Sequence, residues 1–261
     1  MKAFIQKSDT THAAEGLSSC TRESTCDSAK TIIVEFNGLT GLGKTTVAKA
    51  LIEELTKQGS RVIDKSYRYC YFHSMHHPFP VLFSPHLYWL VESFARSLTP
   101  KKKRSHVNKI SYYAQKYKSI IKHSHADFAI IDEAIIQFFA AIAFNDVIPV
   151  SEKVDAIIRK LKRLNIDFIR IDCVPNVDEA EKRIMSRPTK KLKVERMRKE
   201  DRVHKLETEA ANINYLRSVF SKVYENQHVI TIDTIKESPL NNARVIMDYI
   251  INIKNENSSS R

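Results

Sequence analysis

The amino-acid sequence predicts an α/β fold in which five parallel strands form a sheet covered by helices on both faces. Short apolar, β-branched segments alternate along the chain with segments whose apolar residues recur at helical spacing. Strands that alternate with helices are typical of a parallel sheet, because each parallel strand needs a crossover connection. In addition, three of the five glycines fall within six residues, between the first strand and the first helix.

The individual elements follow from these two periodicities. The first helix, for example, has apolar residues at Val47, Leu51 and Leu55 and ends before Gly59, a residue type favoured after helix ends. Strands are predicted at 31–36, 61–64, 128–132, 166–172 and 228–233, and helices at 45–58, 151–164, 176–186, 213–224 and 241–253.

Composition shifts divide the chain into one domain and its appendages. Residues 30–252 carry the α/β pattern, whereas residues 1–29 are polar, rich in Ser and Thr and without periodicity, which predicts a disordered leader. Residues 253–261 are expected to form a flexible tail. Residues 65–126 show helical patterns and no clear strand, and we interpret them as a helical insertion between the second and third strands.

The positive charge of the chain is concentrated in two segments. The chain has 42 Lys and Arg against 30 Asp and Glu, a formal net charge of +12. Residues 101–126 and 182–205 each carry +8, which leaves a net charge of −4 for the remainder. Such patches predict an anionic ligand. No apolar run is long enough to span a bilayer, and four cysteines do not indicate a disulfide framework, so we expect no membrane partner and a cytoplasmic location.

The segment at positions 38–45, Gly-Leu-Thr-Gly-Leu-Gly-Lys-Thr, fits the pattern G-x-x-x-x-G-K-[ST] between a strand and a helix. The glycines let successive backbone N–H groups face one anion, and the N-terminus of the following helix adds positive potential. Lys44 would reach the outer phosphates of a nucleotide, and the hydroxyl of Thr45 would ligate Mg²⁺. The segment therefore predicts a phosphate-binding loop for ATP with Mg²⁺.

The third predicted strand ends in an acidic pair, Asp132 and Glu133. An apolar strand that ends in Asp beside a phosphate-binding loop is typical of a Mg²⁺ site, so Asp132 is a candidate metal-binding residue. Glu133 could orient a nucleophile or bind substrate.

Arginines follow the fourth strand in unusual number, from Arg183 and Arg187 onward to Arg202. Because guanidinium groups bind phosphate oxygens in a bidentate manner, they can neutralise charge on a phosphoryl group in transfer. We expect one or two of them to be functional, in a lid at 187–203, and the others to lie on the surface.

These landmarks resemble the P-loop kinases, and most of all the thymidylate kinase and related nucleoside and nucleotide kinase group. The resemblance covers about residues 30–250 and implies a three-layer P-loop NTPase fold with strand order 2-3-1-4-5. It implies that Arg183 and Arg187 are lid arginines and that Asp132 begins the family's Asp-Arg motif, in which this chain has Glu133 in place of Arg. The implied ATP phosphate loop comprises Gly38, Leu39, Thr40, Gly41, Leu42, Gly43, Lys44, Thr45 and Thr46.

The favoured function is an ATP-dependent phosphotransferase that acts on a small anionic acceptor, above all a nucleotide or nucleoside. Its expected catalytic residues are Lys44, Asp132, Glu133, Arg183 and Arg187. Arg68, which follows the second strand, is a candidate substrate-binding residue. A phosphorylated sugar or another anionic metabolite remains open as the acceptor. The chain is also a candidate for a homodimer.

Two other functions stay open. One is a P-loop ATPase in which Asp132 and Glu133 drive hydrolysis coupled to nucleic acid or a protein partner, the cationic segments then contacting phosphates. Such ATPases usually insert a strand between the strands that carry the loop and the Asp, and only one clear strand separates them in the sequence. The other is a regulatory nucleotide-binding protein with little turnover.

Deletion of residues 1–28 should leave thermal stability and nucleotide affinity nearly unchanged, because this leader offers little apolar surface to bury. Differential scanning calorimetry and ATP titration of the full and shortened chains test this. A large drop in the melting temperature would show that the leader packs on the domain.

Overall fold

A computed structural model of the chain describes residues 31–64, 126–132, 136, 159, 162, 168–188, 193–225 and 228–259, and all structural statements refer to these residues. Within them we number strands and helices in chain order. The strands are β1 (Ile32–Asn37), β2 (Val62–Asp64), β3 (Phe128–Ile131), β4 (Phe168–Cys173) and β5 (Val229–Ile232). The α-helices are α1 (Lys44–Lys57), α2 (Val177–Met185), α3 (Lys199–Val223) and α4 (Pro239–Ser259), with a 3₁₀ helix at Lys193–Arg196.

The five strands form one sheet in the order β2-β3-β1-β4-β5, and every neighbouring pair is parallel. This confirms the predicted fold class and strand order. The central strand β1 pairs with β3 on one side, where Val34 aligns with Ile130, and with β4 on the other, where Asn37 aligns with Asp172. The carboxyl ends of β1, β3 and β4 therefore meet at one edge of the sheet.

Helices cover both faces of the sheet. On one face, the Phe168 ring of β4 packs edge-on against Phe220 of α3 and against Tyr224, which directly follows α3, with centroid distances of 6.3 and 5.4 Å. On the other face, α1 and α4 pack together, and Lys254 of α4 lies 5.4 Å from the ring centroid of Phe128. Apolar side chains from all these elements form one continuous core.

Two helices extend beyond the ranges that the sequence predicts. Helix α3 begins at Lys199 rather than at 213, and α4 continues to Ser259 rather than ending at 253. The added turns of α3 have few apolar residues, so hydrophobic periodicity does not reveal them. Glu200 and Asp201 in the first turn favour the helix dipole, and the buried Arg202 joins this turn to α2 through Glu181.

Several predicted segments lie outside the described residues. These are the leader at 1–29, the insertion at 65–126 apart from Ala126, and most of the helix predicted at 151–164, of which Arg159 and Lys162 are described and helical. Among the helices that the structure describes, none is long and apolar enough to cross a membrane.

Asp127 holds together the amino edge of the sheet, opposite the loop at 38–45. Its carboxylate accepts hydrogen bonds from the Arg61 amide before β2, at 2.8 Å, and from the Lys254 ammonium of α4, at 2.7 Å. Burial alone would raise the pKa of Asp127, but the hydrogen bonds from Lys254 and Arg61 outweigh it and hold the pKa below its ordinary value.

Replacement of this residue, Asp127→Asn, should lower the free energy of unfolding at pH 7 by roughly 1–2 kcal/mol, because it removes the charge and one acceptor. The folded-state pKa lies below the ordinary value of 3.8, so this contribution is present above pH 3.8 and is lost as the pH falls through the folded-state pKa. Urea unfolding as a function of pH checks this. The control Asp248→Asn, at an exposed position of α4, should show no such difference, and a deficit that persists unchanged far below pH 3.8 would contradict it.

Candidate active site

The loop between β1 and α1 is held against the core by two leucines and by a close contact with α2. Leu39 and Leu42 are fully buried in the core, whereas Thr45 and Thr46 at the start of α1 are exposed. Gly41 has a φ of 97°, and a Cβ at this position would lie 2.7 Å from the carbonyl oxygen of Ala180 in α2. Only glycine both adopts this φ and leaves room for the Ala180 carbonyl, so the contact with α2 fixes the position of the loop.

The loop has the features of an anion site. The Lys44 ammonium is buried and donates hydrogen bonds to the carbonyl oxygens of Gly38 and Leu39, both at 2.8 Å. The N-cap residue of α1 is Gly43, which offers no side chain to cap the helix, and the first turn contains no acidic residue. An N-terminus of this kind presents its backbone N–H groups and its positive potential to an anion.

Thr45 and Asp132 meet at the carboxyl edge of the sheet, as the sequence predicts. The Thr45 hydroxyl donates a hydrogen bond to Oδ2 of Asp132 at 3.0 Å, across 87 positions of sequence. Asp132 is buried, and its Oδ1 has no hydrogen-bond partner within the described part of the chain. A buried carboxylate oxygen without a hydrogen-bond partner, next to a hydroxyl, fits a Mg²⁺ ion, which prefers oxygen ligands. Thr45 and Asp132 are therefore the residues that would hold the metal.

Arg183 lies directly against the loop. Its guanidinium donates to the carbonyl oxygen of Leu42 at 3.3 Å and to that of Thr234, after β5, at 3.2 Å. Glu179, one turn earlier in α2, accepts a hydrogen bond from Nε of Arg183 at 2.7 Å and holds the side chain in place. Of the two arginines predicted for phosphate contacts, Arg183 thus lies beside the start of α1.

Three other arginines of this region are paired with acidic residues of the chain itself. Arg187 forms an ion pair with the buried Glu195 at 3.1 Å. Arg198 is exposed and pairs with Asp201 at 3.0 Å. The expectation that the remaining arginines lie on the surface is wrong for Arg202, which is buried and bonded to Glu181 and to the Met197 carbonyl. Arg202 has a structural role between α2 and α3.

Helix α3 brings a carboxylate to the loop at 38–45, a contact that the sequence did not reveal. Oε1 of Glu209 accepts hydrogen bonds from both the backbone N–H and the hydroxyl of Thr40, each at 3.4 Å. The contact spans 169 positions, and Glu209 lies in a stretch of α3 that sequence periodicity did not identify as helical.

A buried cluster of charges lies beneath α3 at the same edge of the sheet. The Asp172 carboxylate contacts Nε of Arg170 and Nε of Arg217, both at 3.1 Å. Arg170 also donates to the Ser221 hydroxyl of α3 at 3.1 Å and interacts electrostatically with the buried Glu35 of β1. Burial lowers the pKa of Arg170 and raises the pKa of Asp172, and the attraction between the two groups opposes both changes. Charged residues within otherwise apolar strands were the sequence signal for this cluster.

Two predicted site residues, Arg68 and Glu133, lie outside the described residues. Their roles stay predictions.

Comparison with known proteins found no matching protein-family model and no curated protein of related sequence. Similar solved structures include two of deoxyadenosine kinase from M. mycoides, one with the products dCMP and a flexible dCDP bound and one with dCTP bound. Each shares 17% sequence identity with the chain and aligns with 85% of it and 100% of the kinase, with TM-scores of 0.47 and 0.45.

The substitution Asp132→Asn should weaken binding of Mg²⁺-ATP by about tenfold or more while it changes the affinity for metal-free ATP little, because the lost charge faces the metal. Calorimetric titrations with ATP in Mg²⁺ and in EDTA test this. The control Glu53→Gln, at an exposed position of α1, should change neither affinity. Equal losses with and without Mg²⁺ in the Asp132 variant would show that the residue is structural.

Proposed function

We propose that the protein is an ATP-dependent phosphotransferase that transfers the γ-phosphoryl group to a small anionic acceptor, with a nucleotide or nucleoside as the first candidate. The observation that carries this proposal is the contact between Thr45 and Asp132, at 3.0 Å, beside the Lys44 ammonium and the uncapped start of α1. The groups that we propose to bind phosphate and metal then lie side by side.

Each of these groups has a task in phosphoryl transfer. The reaction needs little covalent assistance from the protein, because positioning and charge stabilisation supply most of the catalysis. Lys44 and the N–H groups at the start of α1 would bind the outer phosphates, and Arg183 adds positive charge beside Leu42. Bound Mg²⁺, held by Thr45 and Asp132, would neutralise charge on the phosphate oxygens.

The strand order favours a kinase over the alternative ATPase. Strand β3, which leads to Asp132, pairs directly with β1, which leads to the loop, and no strand lies between them. P-loop ATPases of the alternative class usually have an extra strand between these two strands. In the ATPase alternative, Glu133 would activate water next to Asp132.

The ion pairs of the segment 182–205 argue against nucleic acid as the partner of this segment. In the segment 182–205, Arg183, Arg187, Arg198 and Arg202 all form ion pairs with acidic side chains. Binding to a nucleic-acid backbone depends on cations that can replace counterions, so these internal pairs reduce the number available. A small acceptor that contacts a few cations fits this arrangement better, and we propose Arg68 as a candidate for such a contact.

Two substitutions distinguish the two functions when each is assayed with ATP alone, with a pool of nucleosides and nucleotides, and with DNA or RNA. For a kinase, basal ATP hydrolysis should be slow and rise sharply with the correct acceptor. Arg187→Met should then lower kcat roughly a hundredfold or more with a small change in the KM for ATP, because its charge acts mainly in the transition state. ADP release measures both quantities.

The ATPase alternative gives the opposite pattern. Glu133→Gln should then be the severe lesion and trap bound ATP, while nucleic acid or a protein partner stimulates turnover. Arg244→Met, at an exposed arginine that pairs with Glu54, serves as the control for loss of a surface cation. Strong stimulation by nucleic acid, with the Arg187 variant unaffected, would contradict the kinase proposal.

A further inference from the structure

Arg217 of α3 contacts the two strand ends from which the active-site edge is built. Its Nη2 donates hydrogen bonds to the carbonyl oxygens of Asn37 and Cys173, both at 3.1 Å. These residues end β1 and β4, and Asn37 directly precedes the phosphate-binding loop. One guanidinium nitrogen therefore bridges two neighbouring strands where the loop begins.

The carbonyl of Asn37 belongs to the peptide that joins it to Gly38. Because a peptide is planar, a hydrogen bond that fixes its C=O also fixes the direction of its N–H and the position of the next Cα. The carbonyl of Gly38 in turn accepts a hydrogen bond from the Lys44 ammonium at 2.8 Å. Arg217 is thus two peptide groups away from the lysine that would bind the outer phosphates.

Close packing against Cys173 removes other positions for this peptide. A Cβ at Gly38 would lie 2.8 Å from Cβ of Cys173, so the loop starts in contact with the end of β4. Burial raises the pKa of the Cys173 thiol to about 11, so this side chain is neutral at physiological pH and acts as a packing group. The contact with Cys173 and the hydrogen bond from Arg217 together define where Gly38 lies.

Arg217 is itself held by the buried charge cluster. Its Nε lies 3.1 Å from Oδ1 of Asp172, and Nε of Arg170 donates to the other oxygen of the same carboxylate, also at 3.1 Å. The Arg217 side chain is 14% exposed. A planar guanidinium that is fixed by a carboxylate has little freedom to rotate, so its remaining N–H groups keep a constant direction.

We infer that Arg217 is a positioning residue for the phosphate-binding loop: it orients the Asn37–Gly38 peptide and thereby sets the affinity of the loop for the phosphates of the nucleotide. The inference rests on the proposed function, since it assumes that the loop binds ATP. A buried ion pair alone adds little stability compared with apolar residues of the same volume, so the two bonds to the strand ends are the distinctive contribution of this side chain.

The test compares three variants by calorimetric titration with Mg²⁺-ATP and with inorganic tripolyphosphate, at a temperature where circular dichroism shows each variant folded. Arg217→Met should raise the Kd for both probes by the same factor, about tenfold or more, because the loss lies in the phosphate contacts rather than at the base. Arg217→Lys keeps the positive charge beside Asp172 but lacks the guanidinium N–H groups that reach the two strand ends. Its Kd values should therefore stay high, while its melting temperature should be closer to that of the wild-type protein than the melting temperature of Arg217→Met is. The Gly38 amide chemical shift should move in both variants.

Lys254→Met is the matched control, because it removes a cation that joins a helix to the opposite edge of the sheet. It should lower the melting temperature and leave both Kd values unchanged. Wild-type affinity for both probes in Arg217→Met, or full recovery of affinity in Arg217→Lys, would overturn the inference and leave the proposed function intact. Failure of the wild-type protein to bind either probe would instead overturn the proposed function and this inference with it.

Discussion

The parallel pairing of β1 with both β3 and β4 is the constraint on which the rest of the structure depends. Parallel strands end at the same edge of a sheet, so this pairing brings the loop that follows Asn37, the carboxylate of Asp132 and the end of β4 to one place. Residues 87 positions apart in the chain, Thr45 and Asp132, then come within 3.0 Å. No local feature of either segment could produce this contact.

Two helices complete the site by contacting different residues of the loop. Helix α2 packs under Gly41 and supplies Arg183, while α3 contacts Thr40 through Glu209 and the start of the loop through Arg217. Burying the charges of Arg170, Asp172 and Arg217 costs desolvation energy, which their mutual contacts offset. The cluster lies beneath α3, between this helix and the strand ends, so a shift of α3 would move the loop.

The sequence predicted the parts of this structure that depend on local patterns. The loop, the strands on either side of it and the strand order followed from glycine spacing, short apolar runs and the resemblance to P-loop kinases. The first turns of α3 were missed because Lys199–Arg202 has no apolar periodicity and is held to α2 by the ion pair between Arg202 and Glu181. Three charges within apolar strands were visible in the sequence: Glu35, Arg170 and Asp172. The partner of Asp172, Arg217, lies 44 positions from the end of β4 and could not be identified from sequence. The contact of Glu209 with Thr40 could not be identified either, because 169 positions separate the two residues.

The central claim is that the loop positions ATP for transfer of its γ-phosphoryl group to a small molecule rather than to water. Incubation of the protein with Mg²⁺ and γ-labelled ATP, in the presence of a nucleoside and nucleotide pool, measures the two fates of the label directly. We expect the label in a new phosphorylated small molecule, with formation abolished by Lys44→Ala in a variant that still folds. Label released only as inorganic phosphate, at a rate independent of the pool, would contradict the account.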